Sequence, residues 1–544
     1  ASYGYWVYRK KKDTVSASQD FFLAEGSLTW WAIGASLIAS NISAEQFIGM
    51  SGEGFFVGVA IAAYEWIAAL GLIIIAVWFI PIYLKNKIYT MPQFLKTRYN
   101  ESVALVMAIF WLLLYVFVNF TSILYLGAVA INGLLGGDYL HLVMIGLMLM
   151  ALIITLGGMK VIGYTDVIQV AVLIIGGFAT VYMALQIVDQ RINHVIDGSA
   201  LAGFNTLLKE APEHFHMILE KPGPNATQEE INKYLVLPGL SMYFAGQWIV
   251  NLNYWGCNQY ITQRALGANI QTARTGILFA GLLKLMMPVI VMLPGIAAFV
   301  LYKNGHLPQL EGGSKDGAYS AILSFLPSGL KGLSIAALTA AIVASLAGKV
   351  NSISTIFTLD IFKKYIRPNA DEKKMVWIGR ITILIAMFVS VLFTWNDTLG
   401  IGGEGGFTFI QKYTGFISPG VFAMFLLGMF WKRTTGSAAI AGVICGFVLS
   451  VFFNNYAPGV LGNETILYTA YPNGKGGFEI PFLINMGWSF FFTTALMILI
   501  SFSGPKINPK SFVFDKGMFA ISKSVLVLIV LTILLLTVLY VRFW

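Results

Sequence analysis

Lys284 in LLKLMMP and Glu65 in AYEW place opposite charges inside apolar runs. A charged side chain at the centre of a bilayer costs ~2.5–3.5 kcal/mol on insertion scales, so such groups are functional candidates. Amides and rings accompany them: Gln46, Asn251, Asn253, Asn258 and Gln411, with Tyr64, Tyr254, Trp255 and Phe407. An amide both donates and accepts hydrogen bonds, and an aromatic ring covers the apolar face of a pyranose. The set suits a neutral, hydroxyl-rich solute. The two charges could equally neutralise each other, and rings in helices are also ordinary packing.

A second chemistry is written in ASNISAEQFIGM, residues 39–50. Its centre is polar within an oily segment, and Asn and Ser compete for backbone hydrogen bonds. Gly49, Gly52, Gly54 and Gly58 follow. A helix that unwinds here exposes carbonyls, which a membrane tolerates only where they line a cavity or meet a ligand. Carbonyls with nearby hydroxyls make a hard-oxygen site for an alkali cation. The alternative is a continuous helix in which Asn41 and Gln46 bond to neighbouring helices. Asp166 in GYTDVIQV and Ser345 in AAIVASLAGKVNS are further buried polar positions.

The elements that must hold these residues are membrane spans. The chain has 544 residues, 57% hydrophobic and only 11% charged, with mean hydropathy +0.75. A soluble protein would carry about a quarter charged residues. Apolar runs near the ~20 residues needed to span a bilayer recur throughout. They predict helices at 28–56, 58–83, 102–134, 139–157, 161–187, 236–263, 273–302, 328–358, 376–395, 406–431, 435–454, 481–503 and 518–541. The segment 1–27, ASYGYWVY followed by RKKK, reads as the tail of another span and a cytoplasmic linker.

The net charge of +9 reports orientation and calls for no nucleic-acid partner. Lys and Arg collect in alternate loops, including Lys85, Lys96, Arg98, Arg264, Arg274, Lys363 and Lys364, while loop 188–235 carries more acids than bases. By the positive-inside rule that loop is external. Cys257 and Cys445 suggest no disulfide framework, and His214 and His216 read as solvated loop residues.

The segment 236–263, five spans after the first break, is also rich in Asn and Gly. Interrupted helices at matching places in two halves point to a secondary-transporter site. The expected architecture is an all-α polytopic membrane protein with a five-plus-five inverted repeat. Its first and sixth core helices are discontinuous, and about three extra helices follow. The repeats occupy 28–187 and 236–434, with peripheral spans at 435–544.

At these residues the chain resembles the solute:sodium symporter family, most closely its bacterial sodium/galactose branch. ASNISAEQFIGM, AYEW, TDVIQV, NYWGCNQYITQR, AAIVASLA followed by NSISTIFTLDI, and YTGFISPG carry the resemblance in order. It implies that Gln46, Glu65, Asn251, Lys284 and Gln411 hydrogen-bond a monosaccharide such as galactose or glucose. Tyr254 would stack on the ring, backed by Asn41 and beside Trp255, while Met50, Tyr64 and Phe407 close the outer side. Sodium would be held by the carbonyls of Ala39, Ile42 and Ala341 and the hydroxyl of Ser345, with Asp166 tied to coupling. Ala344 and Ala68 depart from the pattern, each replacing a serine. Transport of another polyol such as myo-inositol, coupling to protons, and solute sensing are the alternatives. A membrane enzyme would need a positioned nucleophile or metal, and none is apparent.

Overall fold

Each predicted span falls on helix in the computed structural model, which describes residues 28–43, 45–135, 138–156, 159–307, 310, 315–399, 401 and 406–544. The segment 1–27, with the predicted span tail and RKKK, lies outside them. Among the described residues, nine helices are long and apolar enough to cross a membrane, or eleven if two bent pairs count as spans. Leu140–Thr155 and Trp30–Asn41 are shorter pieces of the same bundle. The chain is a multi-pass membrane protein. One hairpin, Tyr471–Pro472 against Phe478–Glu479, interrupts the all-helical plan between the last two predicted spans and their predecessor.

The first span is broken where its polarity predicts. Helix Trp30–Asn41 stops as Ile42 turns extended, with φ −83° and ψ 112°. The chain then re-forms as a π-helical turn, Glu45–Met50, and a helix, Ser51–Val57. In a continuous helix the Ser43 amide would reach the carbonyl four residues back. Here it donates to Gln46 Oε1 at 3.2 Å. The sixth span breaks as well: Gly246–Gly256 ends, and Asn258 caps the next helix, Gln259–Leu266, by accepting from the Tyr260 amide at 3.1 Å. A third discontinuity separates Phe407–Gly415 from Ser418–Phe430 with a 53° bend.

Several basic residues predicted to mark loops are buried instead. Arg98 donates to the carbonyls of Gly428, Trp431 and Thr434, where the helix Ser418–Phe430 ends. A cation there answers both the orphan carbonyls and the negative end of the helix dipole. Arg274 similarly ties Ala76, Met518 and Ala520. His214, read as solvated, is also buried. Its ring stacks on Phe299 at 3.9 Å, and Nε2 lies 3.0 Å from the Phe55 carbonyl. Burial holds its imidazole below the usual histidine pKa. His216 is exposed, as expected. Both cysteines are free.

Candidate functional site

The break in the first span faces a central cavity. Asn41, Gln46, Tyr64, Glu65, Asn251, Tyr254, Trp255, Lys284, Phe407 and Gln411 all line it, drawn from the first, second, sixth, seventh and tenth predicted spans. Ala68 forms part of the same wall. Met50 is fully buried and stands outside the lining.

A polar chain crosses this cavity. The Lys284 ammonium donates to Glu65 Oε2 and to Asn41 Oδ1, and it sits 5.2 Å from the centre of the Trp255 ring. Asn41 Nδ2 then donates to the Tyr254 hydroxyl at 3.2 Å. Of the two roles open to Lys284 and Glu65, this arrangement shows mutual pairing. Two charges taken out of water need close geometry and further hydrogen bonds to offset desolvation, and Asn41 supplies one. Tyr254 and Trp255 meet edge to face at 5.3 Å.

Other lining atoms have no protein hydrogen-bond partner among the described residues. These are the Tyr64 hydroxyl, Asn119 Nδ2, Asn253 Oδ1 and Thr414 Oγ1. Buried polar groups are nearly always satisfied, so donors and acceptors aimed at one cavity suit a solute or water that can do both.

A second cluster lies on the other side of the break. The Ser40 carbonyl accepts from Ser345 Oγ at 2.8 Å and from the Tyr260 hydroxyl. That joins the broken span to helices Ser328–Thr355 and Gln259–Leu266. Ala39, Ile42, Ala341 and Ala344 are buried. Asp166 adjoins this cluster through Ser36, whose hydroxyl donates to Oδ2 at 2.5 Å, while Arg264 Nη2 is 3.7 Å from the same oxygen. Ser40 in turn donates to the Ser36 carbonyl at 2.7 Å. Arg264 is therefore a buried ion-pair partner, and its place near a span end hid this in the sequence.

Two of the residues expected to form the outer gate meet at one end of the cavity. Tyr64 and Phe407 pack edge to face at 5.1 Å, and a Cβ on Gly49 would stand 2.6 Å from Phe407 Cβ. Just beyond, Glu53 accepts from Thr408 and Lys315, each at 2.6 Å. In the sequence Glu53 stands between Gly52 and Gly54 and drew no assignment. The contact ties the outer half of the first span to the tenth. Glu53→Gln removes the charge that pairs with Lys315 and weakens the bond from Thr408. It is expected to raise several-fold the rate at which an impermeant thiol reagent, added outside, labels Phe407→Cys. An unchanged rate would remove Glu53 from the proposed gate.

Residues 21–446 match the model of the sodium:solute symporter family. The chain belongs to that family. It is 41% identical over 99% of its length to the sodium/glucose cotransporter of Vibrio parahaemolyticus, covering 95% of that protein. It is 33% identical to the sodium/myo-inositol cotransporter 2 of Mus musculus, over 82% of this chain and 67% of that one. The fold matches a solved structure of a Na⁺-coupled sialic acid symporter with a TM-score of 0.75. That match has 19% identity and covers 93% of this chain and 96% of the other. The family member described here thus carries its broken-helix cluster and its polar cavity side by side.

Proposed function

We propose that the chain couples inward sodium movement to uptake of a monosaccharide such as glucose or galactose by alternating access. The observation that carries this reading is Asn41. It is the last helical residue before the break and the link between Lys284 and Tyr254 in the cavity. Gln46, Glu65, Asn251, Lys284 and Gln411 are assigned to the sugar hydroxyls, and Tyr254 with Trp255 to its ring. Asn41 backs Tyr254, and Met50, Tyr64 and Phe407 form the outer gate. Sodium is assigned to the carbonyls of Ala39, Ile42 and Ala341 and to the Ser345 hydroxyl, with Asp166 steering coupling. Breaks in the first and sixth spans support the five-plus-five inverted repeat. The sodium/glucose cotransporter among its relatives supports the substrate class.

An ion can shift the equilibrium between conformations only by its differential affinity for them. Sodium held on the carbonyls of the broken segment would favour the arrangement in which Asn41 and Lys284 also meet the sugar, and the linkage is reciprocal. A negative-inside potential adds ~2.3 kcal/mol per charge per 100 mV. Proteoliposomes given an inward sodium gradient should accumulate labelled glucose or galactose, and choline replacement should abolish this. Uptake indifferent to sodium would overturn the proposal. The myo-inositol cotransporter relative favours one second substrate, and Ala68 at the cavity wall is where the preference would be read. Counterflow with myo-inositol in the same vesicles separates the two.

A further inference from the structure

A buried amide stands just outside the central cavity. Gln247 lies in the first turn of helix Gly246–Gly256 and is fully buried. Neither its Oε1 nor its Nε2 has a protein hydrogen-bond partner among the described residues. The large majority of buried side-chain polar atoms find a partner, and the bilayer core supplies no water to make up the loss. Helical spacing puts Gln247 on one face with Val250, Asn251 and Tyr254, three residues that line the cavity. Asn251 leans back toward it, donating from Nδ2 to the Gln247 carbonyl at 2.9 Å. Gln247 stands one turn beyond that lining, toward the segment 188–235 that the charge distribution places outside. The strip of polar residues on this face of the sixth span therefore continues past the cavity wall, on the side from which a solute would enter.

We propose that Gln247 is a further solute contact, met from the external side when Tyr64 and Phe407 part. The inference deepens the sugar reading above and rests on it, outer gate included. A side-chain amide offers a donor and an acceptor side by side. That pair matches two neighbouring hydroxyls, one accepting from Nε2 while the other donates to Oε1. The ligand so selected is a neutral polyol with a vicinal diol, since an anion or a cation would satisfy only one end. An amide without partners disfavours the shut arrangement relative to one in which a diol can reach it, and such a difference between states is what shifts their balance. From Gln247 the solute passes down the same helix face to Asn251 and Tyr254. Gln247 thus serves the capture and the choice of solute.

The test is sodium-driven uptake of labelled glucose in proteoliposomes, with a set of monodeoxyglucoses as competitors. Gln247→Leu is expected to raise KM about tenfold, the loss of two neutral hydrogen bonds, and to leave kcat within about twofold of the parent. It should also raise the unfolding temperature in detergent, because it takes an unpartnered polar group out of the interior. Discrimination between glucose and the deoxy sugars should shrink several-fold at two adjacent ring positions and stay as in the parent at the others. An unchanged KM overturns the proposal. A raised KM with discrimination unaltered at every position overturns it too, and makes Gln247 a packing residue. If the parent itself takes up no sugar under a sodium gradient, the sugar reading falls first and the proposal with it. Should Gln247→Leu fail to insert, Gln247→Met carries the same test, because it removes the same donor and acceptor.

Discussion

Lys284→Ala abolishes sugar uptake, with an expected loss of at least ~100-fold, and destabilises the purified protein. The substitution leaves the Glu65 carboxylate buried without its ammonium and takes the donor from Asn41. Breaking a buried pair from one side costs about 3–5 kcal/mol, because an uncompensated charge remains, whereas replacing both partners by neutral groups is often tolerated. Lys284→Met combined with Glu65→Gln should therefore recover most of the thermal stability while staying inactive. Stability and transport then come apart, as expected if the pair serves the solute. Thermal unfolding in detergent and uptake in vesicles read the two quantities. Near-normal uptake by both variants would remove the pair from the site.

Gly295→Ala should be nearly as damaging, although it touches no cavity residue. A Cβ built there would stand 1.9 Å from the Ser51 carbonyl oxygen and 2.9 Å from the Phe55 amide nitrogen. Both are backbone atoms, so no side chain can rotate away. The helix Leu293–Lys303 must then back off from Ser51–Val57, the outer half of the broken span. Small residues that let helix backbones approach closely are how membrane helices gain packing energy, and overpacking typically costs about 1–3 kcal/mol. The same shift pulls Glu53 from Thr408 and loosens the proposed outer gate. Uptake and unfolding temperature should both fall. Gly332→Ala, where a Cβ meets nothing within 4 Å, is the matched control. Equal behaviour of the two variants would show that the close approach is not needed.

Much of this site was legible from residue type alone, because polarity inside an apolar span has few innocent explanations. Asn41, Gln46, Glu65 and Lys284 announced themselves that way, as did the break at Ile42. Position near a span end hid the others. Arg264 and Lys349 sit where a hydropathy trace is already falling, and charge counts cannot tell a solvated loop cation from one folded back over Tyr260. Glu53 was masked by flanking glycines, whose role is close helix packing. His214 lay in a polar segment read as an external loop, and only the fold brings Phe299 and the Phe55 carbonyl against it. Sequence patterns give the depth of a residue in the membrane. They do not give the direction in which its side chain turns.

Asn41 occupies an unusual post, with the end of a helix at its back and the Lys284 ammonium at its side chain. In the proposed assignment, no lever separates the break, acting as a hinge, from the bound solute. A molecule that fits the chamber but cannot stand in for the Asn41 amide would dock without letting the hinge move. Such compounds would stall the cycle as inhibitors, so affinity for this chamber and turnover through it should rank candidate solutes differently.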